Sequence, residues 1–173
     1  MTPSRFLPSL LLGASLFVAV SAVAAAPAAA MPAPVVHPMS QDVVSKMSAL
    51  FAKASPAVRE WVDLEARKLR PMPKIDLFMV AADARQRFAS AVPPLTPAQA
   101  DLLAAMALYQ TAKDLESEAR LKQPTRKGEL TTQDEQALQQ LLDRKSQLEA
   151  IIASVVRSSY EAGQATISTL KAS

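Results

Sequence analysis

The sequence contains no cysteine, one histidine and three glycines, and only 5% of its residues are aromatic. Each shortage closes off a chemistry. Without cysteine there is no disulfide, no thiolate nucleophile and no thiolate ligand for a metal. Three scattered glycines cannot form a glycine-rich loop that cradles phosphate. The lone histidine, His37, lies in the proline-spaced stretch PAPVVHPMSQ, residues 32–41. A working imidazole needs a fixed partner to set its tautomer, and a metal site needs several ligands at set spacings. Neither accompanies His37, so it reads as a bystander. Serine nucleophiles lack a base for the same reason. The one enzyme class left open is a carboxylate-based hydrolase, for which Glu60, Asp63 and Glu65 are the available cluster. Sugar clefts also carry aromatic platforms, and Trp61, Tyr109 and Tyr160 are nearly all there is. The expectation is a non-enzymatic protein with no catalytic residue, no metal and no cofactor.

What is present is mostly alanine and leucine with Glu, Gln, Lys and Arg between them, the strong helix formers. Half of the 173 residues are hydrophobic and the formal net charge is +3. Alternating β-branched runs bounded by glycine turns, the mark of strands, are absent. The length allows one domain, and a domain of ~150 residues buries ~70% of its unfolded surface, enough to hold without disulfides.

The first 24 residues read as a cleaved signal peptide: Arg5, an uncharged apolar run over 6–23, then the small-x-small end Ala22-Val23-Ala24. The alternative is an uncleaved anchor, for which the run is marginal against the ~20 residues a span needs. Residues 25–39 read as a Pro/Ala-rich disordered tether, and 40–173 as a helical domain. The expected location is the periplasm, with full secretion the alternative.

Helix starts are legible in that domain. Ser40 caps a first helix to about Ala54, with Val44, Met47, Phe51 and Ala54 on one face. Ser55-Pro56 opens a second, ended by the prolines at 71 and 73. A third runs from about Ile75 to Val92 and presents Phe78, Met79, Ala82 and Phe88. Thr96 with Gln99 has the capping-box form and opens a fourth, to about Gln123. Thr132 with Glu135 has the same form and opens a fifth, reaching near Leu170, with Leu138, Leu141, Leu142, Leu148, Ile151, Ile152, Val155 and Val156 in its stripe. Gly163 is expected to loosen its last turns. The fold class is all-α, a four- to five-helix up-and-down bundle with a long C-terminal helical hairpin. At 1.5 Å per residue the fourth and fifth helices span ~39 and ~57 Å, so the fifth overhangs and must cover its stripe with the shorter helices or another molecule.

Four charge pairs stand at helical i,i+4 spacing: Asp63–Arg67, Asp83–Arg87, Glu116–Arg120 and Glu118–Lys122. Asp143-Arg144-Lys145 interrupts the fifth stripe and reads as long side chains snorkelling at its edge. In an up-and-down bundle, alternate turns share an end. That rule gathers Arg67, Lys68, Arg70 and Lys74 with Arg120, Lys122, Arg126 and Lys127 into one basic pole. Such a patch suits anionic lipid or lipopolysaccharide, although cations also collect at helix C-termini through the macrodipole. Nucleic acid is not an expected partner, because aromatics do not interleave the cations.

Leu95-Thr96-Pro97-Ala98-Gln99 resembles the LTxxQ motif of small periplasmic stress chaperones and zinc-resistance-associated proteins, with Leu130–Asp134 a second copy that has Asp in place of Gln. The family's Arg-rich helix after the first motif is missing. The resemblance implies a dimeric, cradle-like chaperone for unfolded clients. The leading expectation is an adaptor, inhibitor or accessory subunit that binds an unknown protein partner through a helix face. The sequence sets no oligomeric state.

Overall fold

Five helices account for most of the described chain: α1 (Gln41–Lys53), α2 (Pro56–Leu69), α3 (Leu77–Arg87), α4 (Pro97–Lys122) and α5 (Thr132–Gly163). The computed structural model describes residues 39–123 and 131–170, and contains no strand among them. The expected signal peptide, nearly all of the tether, His37, Arg126 and Lys127 lie outside the described residues. No helix among the described residues is long and apolar enough to cross a membrane.

Side-chain caps start the helices where the sequence places them, with one shift. Ser40, Ser55 and Thr96 accept from the backbone N–H three residues on, and Thr96 with Gln99 completes a capping box. α5 is capped by Thr131 with Asp134, one residue earlier than the expected Thr132–Glu135 pair. α3 is shorter than expected at both ends. Asp76 caps it, and the chain leaves helical geometry at Phe88. α5 ends at Gly163, and turns follow to Thr169. That tail is part of the core: Ile167 and Leu170 are buried. Ser55 holds it in place by donating its N–H to the Ile167 carbonyl (3.3 Å) and its Oγ–H to the Leu170 carbonyl (2.6 Å).

Cross-helix contacts fix the alternation of direction. Arg70 at the end of α2 pairs with Glu118 near the end of α4, so these two helices run together. Lys145 of α5 lies 3.9 Å from Glu116 of α4, while Gly163 sits beside Ala98 and Leu102, so α4 and α5 run antiparallel. Trp61 packs edge-on against Phe88 and Lys68 lies near Asp83, so α2 and α3 are antiparallel. α1 lies on both α4 and α5, with Phe51 against Tyr109 and Lys46 over the Tyr160 ring.

The bundle is organised around α4. Every residue from Leu102 to Tyr109 is buried, which a helix achieves only when neighbours cover it on all sides. Six of its seven alanines, at 100, 104, 105, 107, 112 and 119, are buried and keep the cylinder narrow enough for α1, α2, α3 and α5 to reach it. The apolar stripe of α5 is used up here. Leu138, Leu142, Leu148, Ile152, Val155 and Val156 are buried within the chain, so no apolar overhang awaits another molecule.

Two faces differ from the sequence expectation. α1 buries Val43, Met47 and Leu50, a stripe rotated slightly from the one drawn through Val44 and Phe51. α3 buries Val80, Ala81 and Ala84, leaving Phe78 and Met79 66% and 64% exposed. Small residues let the short α3 lie close to α4, and the two large side chains turn outward.

α5 gives way to turns after Gly163, where looser geometry was expected, and the glycine also permits a close contact. A Cβ built there overlaps Leu102 Cδ1 and lies 3.2 Å from the Ala98 carbonyl. Leu102 is fully buried and has nowhere to retreat. Alanine ordinarily stabilises a helix interior relative to glycine, by up to ~1 kcal/mol. Here overpacking reverses the sign, and Gly163→Ala is expected to cost about 1–3 kcal/mol in urea unfolding.

Candidate functional site

The turn after α2, the end of α4 and the first half of α5 meet at one end of the bundle. A groove of about 530 Å³ there is lined by Pro71, Pro73, Lys122, Leu141, Asp143 and Arg144. Six of the eight cations proposed for a basic pole lie on the described segments at this end: Arg67, Lys68, Arg70, Lys74, Arg120 and Lys122. Most are already engaged. Arg70 and Lys122 both bind Glu118, at 2.9 and 3.1 Å. Arg120 pairs with Glu116, and Lys68 with Glu65 at 2.7 Å. Among the described residues, only Arg67 and Lys74 of the six have no ion-pair partner. Acids at the same end, Glu65, Asp76, Glu116, Glu118, Asp134 and Glu135, match the six cations in number. The described part of the pole is therefore close to neutral.

The pairing leaves its mark on proton affinities. Hydrogen bonds from Arg70 and then Lys122 hold the Glu118 carboxyl below its ordinary 4.5. The Arg70 guanidinium is correspondingly raised by Glu118, and the Lys68 ammonium by Glu65. Asp134 is lowered by its hydrogen bond from the Thr131 hydroxyl.

Of Arg144 and Lys145, expected to snorkel at the edge of the α5 stripe, Lys145 is instead buried, while Arg144 is half-buried and reaches across to α2. Arg144 donates to the Arg70 and Leu69 carbonyls at 2.5 and 2.6 Å. It thus closes the C-terminal end of α2 with a cation, where the macrodipole favours one. Burial lowers its proton affinity. Lys145, with a side chain only 4% exposed, binds Glu149 at 2.6 Å and approaches Glu116.

The carboxylates proposed for hydrolysis do not converge. Glu60 and Asp63 are exposed on the outside of α2, while Glu65 is buried against Lys68. Glu116 and Glu149 do share a groove of about 320 Å³ with Val44, Tyr109 and Arg120. Lys145 and Arg120 occupy both carboxylates, which makes this a structural ion-pair network. No group of three or more His, Cys, Asp or Glu that could hold a metal exists among the described residues. The LTPAQ residues also have structural work: Gln99 completes the α4 cap and donates from Nε2 to Thr166 Oγ1 at 2.5 Å, tying α4 to the tail.

The expected i,i+4 pairs divide. Glu116–Arg120 and Glu118–Lys122 form, but Asp63–Arg67 does not. Asp83 accepts from Trp61 Nε1 at 3.1 Å. That bond lies at the edge of a groove of about 480 Å³ between α2 and α3, lined by Trp61, Leu64, Lys68, Asp83, Gln86 and Arg87. Leu64 is 46% exposed on its rim, and Met79 is one helical turn before Asp83. The Phe78 ring stands under the Arg85 guanidinium, 5.8 Å from centroid to Cζ. Sequence reading missed this face. The available signal was that α3 offers two stripes, one of large residues and one of small, and only one can be inside.

Fold and surface together define an all-α bundle with exposed large apolar side chains on α2 (Leu64), the turn after it (Met72) and α3 (Phe78, Met79), and also at Val92 and at Leu121 on α4. No family model, curated protein or solved structure compared with the chain matches it significantly.

Two measurements check the charge chemistry. Lys145→Ala strands Glu149 without its cation and is expected to cost about 3 kcal/mol, the low end for a buried pair because Glu149 keeps some solvent contact; Lys145→Met strands it equally and should cost nearly as much, whereas replacing both partners, Lys145→Met with Glu149→Leu, should cost much less than either. For Glu118, a depressed carboxyl pKa means stability that is present above the ordinary value and lost as pH falls through the lower folded one. Glu118→Gln is expected to lose about 0.5–1 kcal/mol at neutral pH, discounted for the half-exposed Arg70, and to match the parent in strong acid.

Proposed function

We propose that the chain is an exported, non-enzymatic helical interaction protein, of adaptor, inhibitor or accessory-subunit type, that binds a protein partner through the outer face of α2 and α3. The carrying observation is the exposure of Leu64 on a groove with Trp61 in its wall, together with exposed Phe78 and Met79 on the other helix of that groove. Exposed apolar surface of this kind is a mark of interaction sites. Export rests on the uncharged apolar run over 6–23 and its small-x-small end. The face differs from the one the sequence suggested. α5 buries its stripe inside the bundle, and the near-neutral pole weakens an anionic lipid or lipopolysaccharide contact. The chaperone reading gains no support from LTPAQ, whose residues serve as a helix cap.

A photo-crosslinking residue placed at Leu64 or Phe78 in cells tests the reading. Both positions are expected to give a discrete adduct of higher mass, and the exposed control position Gln136 on α5 none. Equal labelling at all three positions, or no adduct at the first two, removes the proposal.

A further inference from the structure

We infer that the partner of the α2–α3 face is a second copy of this chain, docked across a two-fold axis beside Leu64; the inference rests on that face being the docking surface. The case comes from the order of charge along α2. Leu64, 46% exposed, stands on the outer side of α2 at the rim of the groove with α3. Glu60 precedes it by four residues and Arg67 follows it by three, and both are exposed. At ~100° per residue the two project on the same side of Leu64, within ~20° of one another. They are too far apart along one helix to meet, and neither has an ion-pair partner among the described residues. Asp63, also exposed, stands between them, and its i,i+4 pair with Arg67 is not formed.

A two-fold axis lying in the contact plane and crossing α2 at Leu64 runs the two α2 helices antiparallel. It inverts height along the helix and keeps the lateral side. Glu60 of each copy then faces Arg67 of the other, and the two Leu64 side chains meet at the centre. Such a surface is isologous: one patch serves both sides, and each contact occurs twice. The acid-before-base order also suits the macrodipole of α2, so a single arrangement satisfies the helix alone and the pair. The same symmetry places α3 of both copies on one flank, which brings the exposed Met79 and Phe78 to the edge of the interface.

Sedimentation equilibrium of the purified protein over a concentration series tests the inference, with circular dichroism to verify helix content. The parent is expected to dimerise reversibly, and Leu64→Glu, at an exposed position, to remain monomeric and helical. Glu60→Lys and Arg67→Glu each place like charges opposite one another, twice, and should each weaken self-association about tenfold. Mixing the two variants in equal amounts restores both attractions. The introduced lysine of one chain faces the introduced glutamate of the other, and the remaining native Arg67 faces the remaining native Glu60. A heterodimer should therefore form at concentrations where neither variant pairs alone. A parent that stays monomeric throughout, or a mixture that associates no better than its components, overturns the inference. The crosslinking experiment separates the two levels. An adduct at Leu64 with the mass of a different protein leaves the docking face standing and removes self-pairing, whereas no adduct removes both.

Discussion

The close approach of four helices to one alanine-rich helix is the constraint on which this structure depends. α4 is covered on all sides from Leu102 to Tyr109, and its small side chains at Ala100, Ala104, Ala105, Ala107 and Ala112 set how near the others come. Close packing then makes demands on the neighbours. α5 needs Gly163 where it crosses Leu102 and Ala98. α3 must offer Val80, Ala81 and Ala84 rather than its larger residues. Dispersion contacts fall off steeply with small gaps, so a narrow hub favours narrow partners.

Polar groups hold the ends where the hub cannot reach. Arg144 closes the C-terminus of α2, Arg59 donates to the Ala52 carbonyl at the end of α1, and Ser55 and Gln99 bind the tail at the opposite end. Each satisfies carbonyls or hydroxyls that a helix terminus leaves without intrahelical partners. The bonds of Arg144, Ser55 and Gln99 join segments far apart in sequence. They account for the burial of Ile167 and Leu170 after α5 has ended.

Helix starts were legible because a cap is local: Ser40, Ser55 and Thr96 needed only the residues beside them. The up-and-down order was legible from five helices with short turns, and it placed the ends of α2 and α4 together, as Arg70 and Glu118 show. Which face turns inward was not local. In α3 the large Phe78 and Met79 suggested the core, but the choice belonged to α4, and hydrophobicity alone does not rank a small stripe above a large one. Charge was legible as position and not as state. The cations could be placed at one end, whereas their neutralisation by Glu118, Glu116 and Glu65 depends on side-chain reach across helices. Lys145 looked like a break in a stripe because its partners, Glu149 and Glu116, are visible only once α4 and α5 are paired.

The same constraint that builds the core also decides where large apolar side chains are left outside. A helix that packs through alanine and valine must put its bulk elsewhere, and in α3 that bulk is Phe78 and Met79. α2 is wider, with Trp61 and Val62 inside, so its exposed side narrows to one large apolar residue, Leu64, among Glu60, Asp63 and Arg67. Two short helices with their small or already satisfied faces inward thus leave an apolar rim with ordered charge outside. α5 has the longer stripe but buries it internally, and the end rich in cations pairs most of its charge with its own acids. Of the large apolar side chains left uncovered, Leu64, Phe78 and Met79 share two neighbouring helices, while Leu121 stands at the end of α4 and Val92 in the turn after α3.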